Sequence, residues 1–199
     1  MNKAIFWDRD GVIIQMYYDL ENGIIDTVQT IDQVEFVPGI FELLREAKKL
    51  GYLNILVSNQ PGIALKKINN KNFQLVKSFI NKRLENQKII FDKEYYCFHH
   101  PFAKISIYKL NCNCRKPKSG LLLQAAKETG IDLKKSWMVG DGIADIIAGA
   151  EIGCKTILLG NIYEAEYLRL LEEQLKPLKP NYLVKKISEI LPIIQKGEI

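Results

Sequence analysis

Apolar and polar positions along these 199 residues alternate between two periods. Short apolar runs at Lys3 to Trp7, Leu53 to Val57, Tyr95 to Phe98, Trp137 to Val139 and Thr156 to Leu159 read as strands. Between them the spacing lengthens to that of a helix. Ile40, Leu43, Leu44 and Ala47 share one helical face, opened by Pro38-Gly39 and stopped by Gly51. Phe73, Val76, Ile80 and Leu84 make a second stripe, and Leu121, Leu122, Ala125 and Ala126 a third, closed by Gly130. Strands alternating with helices predict an α/β fold, a parallel sheet with helices on both faces. Tyr182-Leu183-Val184, followed by Ile187, Ile190, Leu191 and Ile194, predicts a last short strand and a packing helix. The stretch from Gln15 to Val34 has no period and predicts a loop or short hairpin over the site. Only one helix fits between Gly62 and Lys93, so no large cap domain is expected.

Composition adds bounds. An apolar content of 47% with 26% charged residues is that of one soluble globular domain, here expected to run over 1–199. The net charge of +5 is spread over pairs such as Lys48-Lys49, Lys66-Lys67 and Lys134-Lys135, the pattern of solvated helix surfaces, so a nucleic-acid partner is not expected. No apolar stretch approaches the roughly 20 residues of a membrane span, and Met1-Asn2-Lys3 leads straight into the first strand. A cytoplasmic monomer without secretion signal or membrane contact is the expectation.

The chemistry begins at Asp8-Arg9-Asp10-Gly11-Val12, at the exit of the first strand. On extended chain, residues two apart point the same way, so Asp8 and Asp10 are expected to converge just past the sheet edge. Such a pair suits a nucleophile beside a proton-transfer group, or half of a hard-cation site; alone it is also a common acidic turn. Three further segments bear on that choice. Ser58-Asn59-Gln60 ends the second predicted strand, Lys116 stands in Cys114-Arg115-Lys116-Pro117, and Gly140-Asp141 with Asp145 follows the fourth. In open parallel sheets, ligands sit beyond the carboxyl ends of the strands.

These four motifs, in this order from Asp8 to about Gly160, resemble the haloacid dehalogenase (HAD) superfamily of phosphotransferases. The resemblance implies a Rossmann-like sheet with strand order 3-2-1-4-5. It also implies a magnesium-dependent phosphatase working through an aspartyl-phosphate, with Asp8 as nucleophile and Asp10 as general acid and base. Magnesium would be held by the Asp8 carboxylate, the Asp10 main-chain carbonyl and the Asp141 carboxylate, with Asp145 orienting that shell or Lys116. Ser58 and Asn59 would bind the phosphoryl oxygens, Lys116 would counter their charge, and Arg115 would contact the substrate outside the transferred group.

A second constellation is Cys97-Phe98-His99-His100-Pro101 with Cys112-Asn113-Cys114. Three thiols and an imidazole are the donors of a closed tetrahedral zinc site, and four cysteines in the whole chain are too few for a disulfide framework. Either histidine fits the spacing. The remaining Cys154 reads as a small buried residue. A HAD subgroup, subclass IIIA, carries Cys-x-His-x-Pro followed by Cys-x-Cys-Arg-Lys-Pro, so the resemblance points to Cys97, His99, Cys112 and Cys114 as zinc ligands, on a loop at about 97–114. The zinc would brace that loop and fix Arg115 and Lys116 over the phosphate pocket, in place of a cap.

The same subgroup acts on heptose 1,7-bisphosphate, at its 7-phosphate, or on histidinol phosphate. The resemblance thus implies a small phosphorylated sugar as the first substrate and histidinol phosphate as the alternative; a catalytically idle zinc-stabilised binding module is the reading from another class. Two departures bear on the substrate. The heptose phosphatases read Asn-Gln-Ser-Gly-Ile-Ala-Arg where this chain has Asn59-Gln60-Pro61-Gly62-Ile63-Ala64-Leu65, and its segment after the first motif is longer.

Overall fold

The computed structural model describes residues 1–21, 23–160 and 179–197. Six strands form one parallel sheet: β1 (Lys3–Trp7), β4 (Tyr52–Asn59), β5 (Lys93–Cys97), β6 (Trp137–Gly140), β7 (Lys155–Leu159) and β8 (Tyr182–Val184), in the order β5-β4-β1-β6-β7-β8. The first five repeat the expected order 3-2-1-4-5, and β8 extends the edge. Strand β1 lies at the centre, with Phe6 opposite Ile55 of β4 and Met138 of β6. The short hairpin expected within 15–34 is β2 (Tyr17–Asp19) paired with β3 (Ile24–Asp26).

The alternation along β1 sorts its side chains onto two cores. Ile5 and Trp7 join the side packed by α1 (Ile40–Lys49), α2 (Asn70–Asn86) and α5 (Ile190–Lys196). Ala4 and Phe6 join the other, with Leu121, Leu122 and Ala125 of α3 (Gly120–Thr129) and Ala148 of α4 (Ile143–Glu151). Cys154 is buried in this second core, as its apolar setting predicted. The stripes of α1 and α2 are buried at every predicted position, whereas Ala126 of α3 is only half-buried.

One strand starts and ends earlier than predicted. Phe98 leaves the sheet after Cys97 and packs edge-on against Phe73 of α2, with ring centroids 5.0 Å apart. The aromatic contact competes successfully with one more ladder position and turns the chain toward the loop that carries the histidines. No helix among the described residues is long and apolar enough to cross a membrane.

Candidate active site and candidate metal centre

Parallel strands bring their carboxyl ends to one edge, and there β1, β4 and β6 deliver Asp8, Ser58 and Asp141. Asp8 is tied down at once: its N–H donates to the Val139 carbonyl at 3.0 Å, joining the exits of β1 and β6. The carboxylates of Asp8, Asp141 and Asp145 come within 4.8 Å of one another. Into this group reaches Lys116, whose ammonium lies 3.0 Å from Asp8 Oδ1 and 2.5 Å from Asp145 Oδ1, and donates to the Val57 carbonyl at 2.8 Å.

Glycine makes room for the crowding. Gly11 sits at φ +81°, and a Cβ there would strike the Asp141 carboxylate; a Cβ on Gly140 would strike Asp145. Both acids therefore press against bare backbone. The electrostatics follow from the packing. Burial pushes Asp8 up to about 6, against the pull of Lys116, with Asp145 and Asp10 adding repulsion. Burial and the charges of Asp8 and Asp145 push Asp141 up to about 8. Burial opposes the charge on Lys116, but Asp145 and Asp8 overcome it and hold the ammonium above its ordinary value. One buried cation faces three acids, a deficit that a divalent metal ion would fill.

Asp10 stands near enough for its charge to act on both Asp8 and Asp141, but it is not one of the trio. Strand β1 ends at Trp7, and the chain turns back at once, with Ile13 and Ile14 N–H both donating to the Arg9 carbonyl. The Asp10 carboxylate instead accepts from Arg9 (Nη2 to Oδ1, 3.0 Å), from Thr27 Oγ1 (3.2 Å) and from Gln60 Nε2 (2.5 Å). Gln60 also donates to Ser58 Oγ at 3.0 Å, linking the hydroxyl to the second acid. Asp145, not Asp10, completes the carboxylate trio. Sequence reasoning gave Arg9, Thr27 and Gln60 no role; the one available signal was a cation lodged between two acids, and Arg9 is 1% exposed.

Asn59 has a partner that the sequence did not predict. Its amide donates to the Lys116 carbonyl at 2.9 Å and its Oδ1 accepts from the Lys116 N–H at 3.0 Å. The side chain thus clamps the Lys116 backbone across the two motifs. Arg115 is half-buried, and among the described residues its one bond is Nη1 to the His99 carbonyl at 3.3 Å.

The second cluster brings together Cys97, His99, Cys112 and Cys114. Its sulfurs lie 3.2 to 3.6 Å apart, and His99 Nδ1 is 3.2 Å from Cys114 and 3.8 Å from Cys97. Zinc–sulfur bonds of about 2.3 Å give a tetrahedron with edges of about 3.8 Å, so modest breathing fits the ion. His100 is directed elsewhere, accepting from the Phe102 N–H at 3.1 Å. Aromatic packing helps hold the loop: Tyr108 lies against both Phe98 and His99.

Comparison with known proteins agrees with this geometry. A family model described as "HAD-hyrolase-like" matches residues 113–190. The D-glycero-beta-D-manno-heptose-1,7-bisphosphate 7-phosphatase of Haemophilus influenzae is 44% identical over 155 residues, 78% of this chain and 78% of that protein. The enzyme of the same name from Pasteurella multocida is 37% identical over 197 residues, 99% of this chain and 98% of its own. Among solved structures, the D,D-heptose 1,7-bisphosphate phosphatase from B. bronchiseptica, complexed with magnesium and phosphate, superposes with a TM-score of 0.77 over 98% of both chains. Its identity is 23%, which attests the fold alone.

Proposed function

This chain belongs to the HAD-like hydrolases, and from that premise we propose a magnesium-dependent phosphatase that removes the 7-phosphate of D-glycero-D-manno-heptose 1,7-bisphosphate. The observation that carries the chemistry is the trio Asp8, Asp141 and Asp145 gathered around the buried Lys116. The substrate rests on the two named relatives, at 44% and 37% identity.

In this reading the carboxylates of Asp8 and Asp141 and the Asp10 carbonyl would hold magnesium, which would supply charge neutralisation at the phosphoryl oxygens. Asp8 attacks phosphorus in line while Asp10 donates a proton to the departing sugar oxygen, giving an aspartyl-phosphate and the free hydroxyl. Asp10 then takes a proton from water, whose oxygen attacks the same phosphorus, and Asp8 and inorganic phosphate are released. Lys116 and Ser58 hold the equatorial oxygens, and Asn59 and Asp145 keep Lys116 in place. Arg115 faces the part of the sugar that is not transferred.

The thiol and imidazole donors of Cys97, His99, Cys112 and Cys114 fit zinc, which would order the loop leading into Arg115 and Lys116. We further propose that the chain acts as one domain in the cytoplasm. The test is parallel turnover of heptose 1,7-bisphosphate, histidinol phosphate and p-nitrophenyl phosphate. The highest kcat/KM is expected on the bisphosphate, and a higher value on histidinol phosphate overturns the substrate assignment.

A further inference from the structure

Arg9 stands between Asp8 and Asp10 in the chain and is buried beside them, 1% exposed. Two of its nitrogens grip the Asp10 carboxylate. Nη2 lies 3.0 Å from Oδ1 and 3.1 Å from Oδ2, and Nε lies 3.2 Å from Oδ2. Adjacent side chains on extended chain point to opposite sides. Here the turn through Gly11, at φ +81°, with the Ile13 and Ile14 N–H groups on the Arg9 carbonyl, brings the two together. The Arg9 N–H also donates to Asp8 Oδ1 at 2.7 Å, so one residue holds the first acid by its backbone and the second by its side chain.

The guanidinium is itself held from two further sides. Nη2 donates to Thr27 Oγ1 at 3.1 Å, and that hydroxyl donates to Asp10 Oδ1 at 3.2 Å, closing a triangle. Its central carbon lies 5.9 Å from the centroid of the Phe73 ring, which packs edge-on against both Tyr96 and Phe98. Nη1 is buried with no hydrogen-bond partner among the described residues. A buried ion pair adds little net stability, because the loss of water costs about what the attraction returns. What this pair secures is geometry. The Arg9 side chain is 2% exposed and that of Asp10 11%, so a substrate can meet the acid but not the cation behind it.

We infer that Arg9 is a positioning residue for proton transfer: backed by Phe73 and Thr27, it fixes the Asp10 carboxyl where the substrate oxygen departs. The inference rests on the reading of Asp10 as acid and base and deepens it. As the bond from Asp8 to phosphorus forms and the bond from phosphorus to the substrate oxygen breaks, the Asp10 proton passes to that oxygen. A carboxyl free to swing delivers the proton less often, and the loss grows with the basicity of the departing oxygen. A group that leaves as a stable anion needs no proton and is nearly indifferent to Arg9.

The full-length, magnesium-loaded protein is assayed on p-nitrophenyl phosphate, phenyl phosphate and heptose 1,7-bisphosphate, whose leaving oxygens are increasingly basic in that order. The quantity compared is kcat/KM, which ends at departure of the leaving group and excludes the later attack of water. Arg9→Lys keeps the charge but loses the planar fork. Its kcat/KM should fall about 30-fold on phenyl phosphate, at least as far on the sugar, and no more than about threefold on p-nitrophenyl phosphate. Thr27→Val, which leaves Arg9 in place, should show the same bias at smaller size, and thermal midpoints check both folds. Equal losses on all three substrates in Arg9→Lys, or in Thr27→Val if Arg9→Lys does not fold, would assign the ion pair to the fold and overturn the inference. Asp10→Asn sets the reference. A leaving-group bias in Asp10→Asn with none in Arg9→Lys overturns the role of Arg9 alone, and no bias in either removes the acid role of Asp10 with it. A wild type that hydrolyses both aryl phosphates but not the sugar, with the bias intact in Arg9→Lys, overturns the substrate reading and supports the role of Arg9.

Discussion

The two clusters at the edge of the sheet each gather four side chains of one chemical kind or its complement, yet they are held in opposite ways. Asp8 and Asp141 sit at the ends of adjacent buried strands, and Lys116 supplies an internal countercharge to them and to Asp145. Only Cys97 of the second cluster belongs to a strand; His99, Cys112 and Cys114 hang on irregular chain with no cation of their own. Burial and the neighbouring Cys114 push the Cys97 thiol up. At Cys112 burial acts the same way, but hydrogen bonds from Cys114 and from the Arg115 backbone prevail and hold it down at about 7. Where the sheet fixes the donors, a metal ion would serve chemistry. Where a loop carries them, it would serve order.

The sharpest way to break this comparison is to disable each cluster and ask what else is lost. Asp8→Asn should lower kcat by about 10³-fold or more, because the amide cannot form the covalent intermediate. It should leave the thermal midpoint close to wild type, since the substitution removes one of three crowded carboxylates. Trapping with beryllium fluoride should centre the mimic on Asp8 in the wild type only. A folded Asp8→Asn protein that keeps near-normal turnover would end the covalent mechanism.

Disabling the other cluster should cost less activity and more order. Cys112→Ser with Cys114→Ser should abolish the one zinc expected per chain and reduce kcat/KM roughly 100-fold, the scale of a displacement of about 1 Å in catalytic groups. Far-UV circular dichroism should keep the sheet signal, while hydrogen exchange should quicken over 98–118. Zinc retained at full occupancy in the double variant would place the ligands elsewhere.

The same contrast explains what the sequence revealed. Periodicity found the strands that carry Asp8, Ser58 and Asp141, because burying a parallel sheet leaves a regular apolar signature. It could not find the Asp10 partners. Thr27 lies beyond a three-residue strand whose pattern is too short to read, and Gln60 follows the last regular position of β4. Their bonds depend on a turn made by Gly11, a tertiary event that local pattern does not encode. Asn59 was legible as a motif residue but not as a clamp on Lys116, 57 positions away. The Cys/His cluster was the reverse: its loop has no period, but donor types and spacing marked Cys97, Cys112 and Cys114 as a candidate set, and the resemblance added His99, which the fold brings beside them.

A smaller effect sharpens the link between the clusters. Arg115 hangs from the His99 carbonyl on the thiol side and is half-free on the substrate side. Arg115→Ala should cost about 1 to 3 kcal/mol of transition-state stabilisation on heptose bisphosphate, and distinctly less on p-nitrophenyl phosphate, which offers it nothing to hold. Equal losses on the two substrates would mean that Arg115 serves the loop or the phosphoryl site.

The smallest expected effect is a pH dependence confined to the carboxylate cluster. Asp8 at about 6 and Asp141 at about 8 both lie above the 3.8 of an unperturbed carboxyl, so each holds its proton more tightly in the folded chain than in the unfolded one. Raised acid pKa values favour the folded state at low pH, and that advantage is lost as pH rises from about 4 through 8. Lys116, held above its ordinary value, stays charged throughout and does not offset the loss. Magnesium needs the ionised carboxylates, so its stabilisation should grow across the same interval in which the metal-free protein weakens. Thermal midpoints with and without saturating magnesium, in protein that keeps its zinc and sees no chelator, should differ more at pH 8 than at pH 5.5. A difference that shrinks toward pH 8 would show that magnesium is not bound by the Asp8 and Asp141 carboxylates.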